Sequence, residues 1–137
     1  MKNNRPILLV EDDKIDAMTV KRAMKDLKIT NLLAHVYNGL EALDYLKNLS
    51  NEKPCIILLD LNMPKMNGIE LLKNLKKDES FKKIPVVVLT TSNAEKDKTE
   101  SFNLSIAGYM LKPVDYKQFV DVIKDINLYW TISEIPD

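Results

Sequence analysis

The chain has 137 residues, 45% of them hydrophobic and 29% charged, with 20 Lys and Arg balancing 20 Asp and Glu; at roughly 100–200 residues per domain this is one soluble domain, and its neutral charge argues against a dedicated nucleic-acid binder. Glycine occurs only at Gly39, Gly68 and Gly108, too scattered for a dinucleotide fingerprint or a P-loop. A lone cysteine, Cys55, excludes an internal disulfide and points to a reducing cytoplasm, and no apolar stretch nears the ~18 residues of a membrane span or leads like a signal peptide.

Ile7-Leu8-Leu9-Val10 is apolar throughout, the pattern of a strand buried on both faces in a parallel sheet. It ends in carboxylates at Glu11, Asp12 and Asp13. Asp13 also starts a helix, since acids favour helix N-termini. Ala17, Val20, Met24 and Leu27 mark the inner face of that helix, and Asn31 breaks it. Leu32 to Val36 is a weaker strand at the sheet edge, carrying the only histidine, His35, in a structural role. Asn38-Gly39 turns the chain into a second helix, whose inner face reads Leu40, Leu43, Leu46 and Leu49 with Ala42.

After the loop from Ser50 to Pro54, Cys55 reads as a small core residue before a third strand, Ile56-Ile57-Leu58-Leu59. That strand stops at Asp60. Pro64 forbids helix at the residue before it, Asn67-Gly68 are turn formers, and helical spacing resumes at Ile69. Leu71, Leu72 and Leu75 then face inward above a solvated row of Lys73, Lys76 and Lys77. Pro85 to Leu89 forms the fourth strand and ends in hydroxyls at Thr90, Thr91 and Ser92. The next helix, within Asn93 to Asn103, is unusually polar: only Ala94, Phe102 and Leu104 offer packing. Such a helix is weakly held, or keeps its exposed face for a partner. Gly108 to Leu111 is a fifth strand closed by Lys112-Pro113. Asp115 caps a last helix with Phe119, Val122, Ile123 and Ile126 inward, and a short tail follows at 128–137.

Strand and helix alternate five times, which means parallel strands joined by right-handed crossover helices. The expected fold is a doubly wound α/β domain with a five-stranded parallel sheet of the flavodoxin-like order 2-1-3-4-5, strand one central, spanning 1–137 as a single domain. Ligands of such sheets bind outside the carboxyl ends of the strands, at the switch point between strands one and three. In this order Glu11 and Asp12, Asp60, Thr90 and Lys112 all converge on one crevice. Carboxylates crowded together need a counter-charge. Oxygen ligands without His or Cys suit a hard cation such as Mg²⁺. A carboxylate can accept a phosphoryl group, while a metal ion, Lys112 and the Thr90 hydroxyl neutralise its oxygens.

Glu11-Asp12, Asp60 with Met63-Pro64 and Gly68, Thr90, and Tyr109-Met110-Leu111-Lys112-Pro113 resemble the receiver domain of two-component response regulators, the CheY-like family, over about Arg5 to Asn127. The resemblance implies that Asp60 is the phosphoacceptor. It implies Asp12, Asp60 and the Asn62 main-chain carbonyl as direct ligands of Mg²⁺, or Mn²⁺, with Glu11 acting through metal-bound water. Lys112 and Thr90 are implied to contact the phosphoryl group, with Thr90 and Tyr109 as switch residues. The segments from Val36 to Leu46 and Ile84 to Ser92, Pro113-Val114-Asp115 and Trp130 are similar to the stand-alone regulators paired with phytochrome kinases. Glu11 stands where Asp is commoner, and Thr91 where many members have Ala.

Two other readings compete. A haloacid-dehalogenase-like phosphatase needs a second Asp two residues after its nucleophile, and here that position is Asn62, which is no acid. A degenerate receiver acting as a constitutive interaction module does not need the intact Asp60, Lys112 and acid pair. The expected partners are a sensor histidine kinase, of phytochrome type, and an unnamed downstream protein, with no nucleic acid and no membrane. No output domain follows in the sequence, so output is expected through protein contact. Tyr129, Trp130, Ile132 and Ile135 are too apolar for a free tail. Either they fold back on their own domain, or they extend a homodimer on the face of helix four, strand five and helix five.

Overall fold

A computed structural model of the chain describes residues 4–113 and 115–132, with side chains up to Leu128. In chain order it runs β1 (Ile7–Val10), α1 (Lys14–Asp26), β2 (Leu33–Val36), α2 (Gly39–Lys47), β3 (Ile56–Leu59), α3 (Gly68–Lys77), β4 (Val86–Thr90), α4 (Glu95–Asn103), β5 (Gly108–Leu111) and α5 (Tyr116–Ile132). Every pairing in the sheet is parallel and the order is β2-β1-β3-β4-β5. β1 is interior, but the middle place belongs to β3 rather than to strand one. β1, β3 and β4 are buried along their whole lengths, which is why their sequences run apolar without alternation. Successive residues feed opposite faces of the sheet. Leu9, Leu58 and Val87 pack with Val20 of α1 and Ile123 of α5. Leu8, Ile57 and Val88 pack with Ala42 of α2 and Leu71 of α3.

The helix starts follow the polar residues in the sequence. The Asp13 carboxylate accepts from the backbone N–H groups of Ile15 and Asp16, Asn38 caps α2, Asn67 and Glu70 form a reciprocal capping box on α3, and Asp115 accepts from Lys117 N. Such a cap stabilises a helix by about 1 kcal/mol. Cys55 is buried, and burial pushes its thiol up. His35 Nε2 donates to the Glu11 main-chain carbonyl at 2.8 Å, a structural contact.

Some boundaries and faces differ from expectation. α1 ends at Asp26, and Lys28 takes a left-handed φ of 58° well before Asn31. On α2 the inner face is Gly39 and Ala42, with Leu43 and Leu46 partly buried; Leu40 is exposed, and Leu49 lies beyond the helix, 99% exposed. Lys76 is half-buried and donates to the Lys82 carbonyl, unlike its solvated neighbours. α4 packs less than its sequence suggested. Ala94 and Phe102 are exposed, Leu104 is partly buried, and the residue buried within the helix is Ser101. α5 continues through residues 128–132 instead of giving way to a tail. The contacts of Tyr129, Trp130, Ile132 and Ile135 lie outside the described side chains.

Candidate functional site

Parallel register brings the acids together. Val10 pairs with Leu59, so Glu11 and Asp60 leave adjacent strands side by side, and Asp60 N donates to Val10 O at 3.1 Å. The loop after β3 is held from two directions. Gly68 N donates to Leu61 O and Gly39 N to Met66 O, each at 3.0 Å. A Cβ at Gly68 would lie 2.7 Å from both the Asp60 carbonyl and Leu61 Cα, and one at Gly39 would lie 2.6 Å from Met66 Cγ. Both glycines are therefore needed for close approach of backbones rather than for an unusual φ. Lys65, between them, has a φ of 61°.

Lys112 enters from β5, its N–H bonded to the Thr90 carbonyl at 2.8 Å. Its side chain is 7% exposed, and its ammonium contacts the Glu11 carboxylate, lies 2.8 Å from Asp16 Oδ2, and lies 3.6 Å from Asp60 Oδ2. Burial works against that charge, but the hydrogen bonds to Asp16 and Glu11 and the field of Asp60 overcome it and raise the lysine above its usual range. Glu11 is buried, and burial, reinforced by the charge of Asp60 and opposed by Lys112, pushes its carboxyl up to about 7. Taken alone, the raised Lys112 favours a charged pair and the raised Glu11 a neutral one. We hold to the charged lysine, because several acids surround one base. Glu11 takes up a proton chiefly because it is buried, with the charge of Asp60 adding to the effect.

Carboxylate oxygens of Glu11, Asp12 and Asp60 lie within 4.8 Å of one another, and Asp60 Oδ1 is buried without a hydrogen-bond partner. A hard divalent cation suits this donor set: all oxygen, excess negative charge, and one oxygen unsatisfied. Asn62 is exposed in the loop two residues beyond Asp60.

Thr90 is fully buried at the end of β4. Val88 pairs with Tyr109, and Thr90 is two residues on, so Thr90 and Tyr109 share one face of the sheet. The Tyr109 hydroxyl donates to the Ser92 carbonyl at 2.8 Å, and Ser92 N donates to Thr90 Oγ1 at 3.3 Å. Ser92 Oγ also bonds Asp97 in α4.

The predicted residues Glu11, Asp12, Asp60 and Lys112 thus share the crevice, and Thr90 ends the neighbouring strand with its carbonyl bonded to the Lys112 N–H. Sequence reasoning missed two residues. Asp16 had a usable mark, being an acid in the first turn of the helix that begins directly after the strand-end acids Glu11 and Asp12. Ser92 had a weaker one, as the last of three hydroxyls.

The sequence profile of the response regulator receiver domain matches residues 7–124. Response regulator Rcp1 of Synechocystis sp. is 38% identical over 128 residues, covering 90% of this chain and 87% of Rcp1. The probable methanogenesis regulatory protein FilR2 of Methanothrix harundinacea is 36% identical over 127 residues, covering 90% of this chain and 82% of that protein. Among solved structures, the phosphorylated cyanobacterial phytochrome response regulator RcpA superposes with a TM-score of 0.91 at 34% identity, over 98% of this chain and all of that one. The Mn²⁺-bound form of Rcp1 gives 0.89 at 36% identity, over 97% of this chain and 99% of that one. Fold, crevice and relatives agree: the chain belongs to the response regulator receiver domain family, the signalling domain of two-component systems.

Proposed function

We propose that this domain, in the cytoplasm, accepts a phosphoryl group on Asp60 from a sensor histidine kinase and answers with a change in its protein-binding surface. One observation carries the reading. Asp60 is buried at the end of the middle strand, with one oxygen near the Lys112 ammonium and the other unpartnered beside two acids. In the transfer, an Asp60 oxygen bonds to phosphorus as the bond from phosphorus to the donor histidine nitrogen breaks, its electron pair staying on that nitrogen. Such reactions need chiefly positioning and charge neutralisation. Lys112 supplies a cation to one phosphoryl oxygen and Thr90 a hydroxyl donor to another. Asp12, Asp60 and the Asn62 carbonyl suit Mg²⁺ or Mn²⁺ as direct ligands, with Glu11 acting through bound water. When bound, the ion neutralises charge on the acids and on the phosphoryl group.

Asn62 has no proton to give as an acid, so the domain catalyses only its own phosphorylation and slow dephosphorylation. The test is labelling by acetyl phosphate. Wild type should take label only with a divalent cation, and Asp60→Asn, of nearly the same shape, should take none. Full labelling of that variant would place the acceptor elsewhere.

The output we infer runs through Thr90. Drawing its hydroxyl toward a phosphoryl oxygen vacates space that the Tyr109 ring can enter, and Ser92 links both residues to α4. A phytochrome-type kinase is supported by the likeness to RcpA. The protein contact we infer is the surface of α4, β5 and α5, which carry the exposed Phe102, Leu111 and Leu128, and the form of it to be tested is a homodimer extended by residues 128–137 of the single domain. Analytical ultracentrifugation of wild type and of a chain ending at Asn127, with and without beryllofluoride, decides. A wild type that stays monomeric in both states removes the dimer.

A further inference from the structure

Lys112 is the cation that the proposed function assigns to the phosphoryl group, yet its ammonium is already engaged elsewhere. It contacts Glu11, donates to Asp16 Oδ2 at 2.8 Å, and stands 3.6 Å from Asp60 Oδ2, beyond hydrogen-bond reach. Glu11 and Asp60 belong to the acid cluster that suits a cation; Asp16 stands outside it. Its place is fixed by α1, where its backbone N–H is bound to the Asp13 cap at 3.1 Å. Its carboxylate is 38% exposed and borders a cleft of about 300 Å³ between α1 and α5, with Thr19, Lys112, Pro113 and Tyr116 among the lining residues. Once released, the carboxylate meets water, so the separation is not opposed by a buried unpaired charge.

We propose that Asp16 is a positioning residue: it holds the Lys112 ammonium off Asp60 in the resting domain, and Lys112 reaches a phosphoryl oxygen by exchanging Asp16 for it. This rests on the reading of Asp60 as phosphoacceptor. The resting pair sets how readily the charge of Lys112 becomes available, and thereby the rate at which the domain is loaded.

The test pairs kinetics with a spectroscopic readout. Removing the charge in Asp16→Asn should raise the rate of labelling by acetyl phosphate roughly two- to fivefold, the weight of a partly exposed ion pair. Asp16→Glu should restore the slower wild-type rate. In ¹⁵N-lysine-labelled protein, the Lys112 ammonium resonance should shift on Asp16→Asn, and shift in the same sense when beryllofluoride is added to wild type with the divalent cation. A Lys112 resonance blind to Asp16→Asn, or an Asp16→Asn domain labelled no faster than a labelled wild type, overturns the inference. Wild type that takes no label at all overturns instead the assignment of Asp60 on which it rests.

Discussion

Gly68→Ala isolates the packing that places Asp60. Glycine in the first turn of a helix is normally a liability, and alanine there should gain about 1 kcal/mol from helix propensity. Here the new Cβ would lie 2.7 Å from the Asp60 carbonyl, 2.7 Å from Leu61 Cα and 2.8 Å from Leu61 Cδ2. The first two are backbone and cannot swing aside, so the start of α3 must move off the strand end. Overpacking of this kind costs roughly 1–3 kcal/mol, and with two of the three contacts to rigid backbone the upper half of that range applies. Subtracting the propensity gain leaves a net loss of about 1–2 kcal/mol. With a urea slope of about 2 kcal/mol per molar, the unfolding midpoint should fall by roughly half a molar to one molar. Because the displaced atoms include the Asp60 carbonyl, divalent-cation affinity should fall in the same variant. Gly108→Ala is the control, since its Cβ would meet nothing closer than Val87 Cγ1 at 4.0 Å. A Gly68→Ala domain that is more stable than wild type would falsify the close-packing account.

Three further outcomes follow from the same geometry. Glu11 is raised by burial from 4.5 to about 7 in the folded domain, so between those values the folded state holds a proton the unfolded chain has released; its contribution to stability is full below about 4.5 and is lost as pH rises through about 7. Metal-free urea midpoints should therefore show a falling term across this window that Glu11→Gln removes and a divalent cation reduces, and an identical slope in Glu11→Gln rules it out. Lys65→Gly should raise the thermal midpoint, because a non-glycine residue at φ 61° is strained by about 1 kcal/mol; a lowered midpoint shows instead that the lysine side chain is needed. Ser92→Ala removes the hydroxyl that Asp97 accepts from and leaves α4, which has no side-chain cap hydrogen bond, with less to hold its start, so amide exchange in α4 should quicken while that of β4 does not, and unchanged exchange in α4 refutes the link.

What the sequence made legible was whatever one strand or one helix decides by itself. Ile7–Val10, Ile56–Leu59 and Pro85–Leu89 announced burial on both faces, and burial on both faces with helical connections leaves few topologies. The order β2-β1-β3-β4-β5 then brings Glu11, Asp12, Asp60, Thr90 and Lys112 to one end of the sheet, because each is the residue at which, or just after which, a strand stops. Leu40, Leu49 and Phe102 misled for the opposite reason. Their spacing fits a helical stripe, but the length of α2 and the offset of α4 against the sheet set which turn meets the core, and neither is written locally. α5 ran on through residues 128–132 because no proline or glycine there stops a helix, a point that hydrophobicity alone obscured.

Asp16 and Ser92 fall between these cases, and they show why a crevice is harder to read than the strands that frame it. A residue that ends a strand is placed by that strand alone. Asp16 is placed by the Asp13 cap, by the tilt of α1 against α5 and by the reach of Lys112 from β5, ninety-six positions away. Ser92 matters because its carbonyl meets Tyr109 from another strand while its hydroxyl meets Asp97 from the next helix. Both are ordinary polar residues near chain turns, and each acquires a role only when a third element arrives. That dependence also makes them adjustable. On the proposed reading Asp60 and Lys112 cannot change without ending the transfer, whereas a carboxylate half in water, or the Ser92 hydroxyl, can alter how fast the lysine is freed or how firmly α4 is held. Receiver domains that share one crevice can therefore differ in timing through residues of this kind, and Asp16→Asn measured against Lys112→Ala separates the two layers: on the proposed reading the first should change a rate and the second should remove the cation assigned to the transfer.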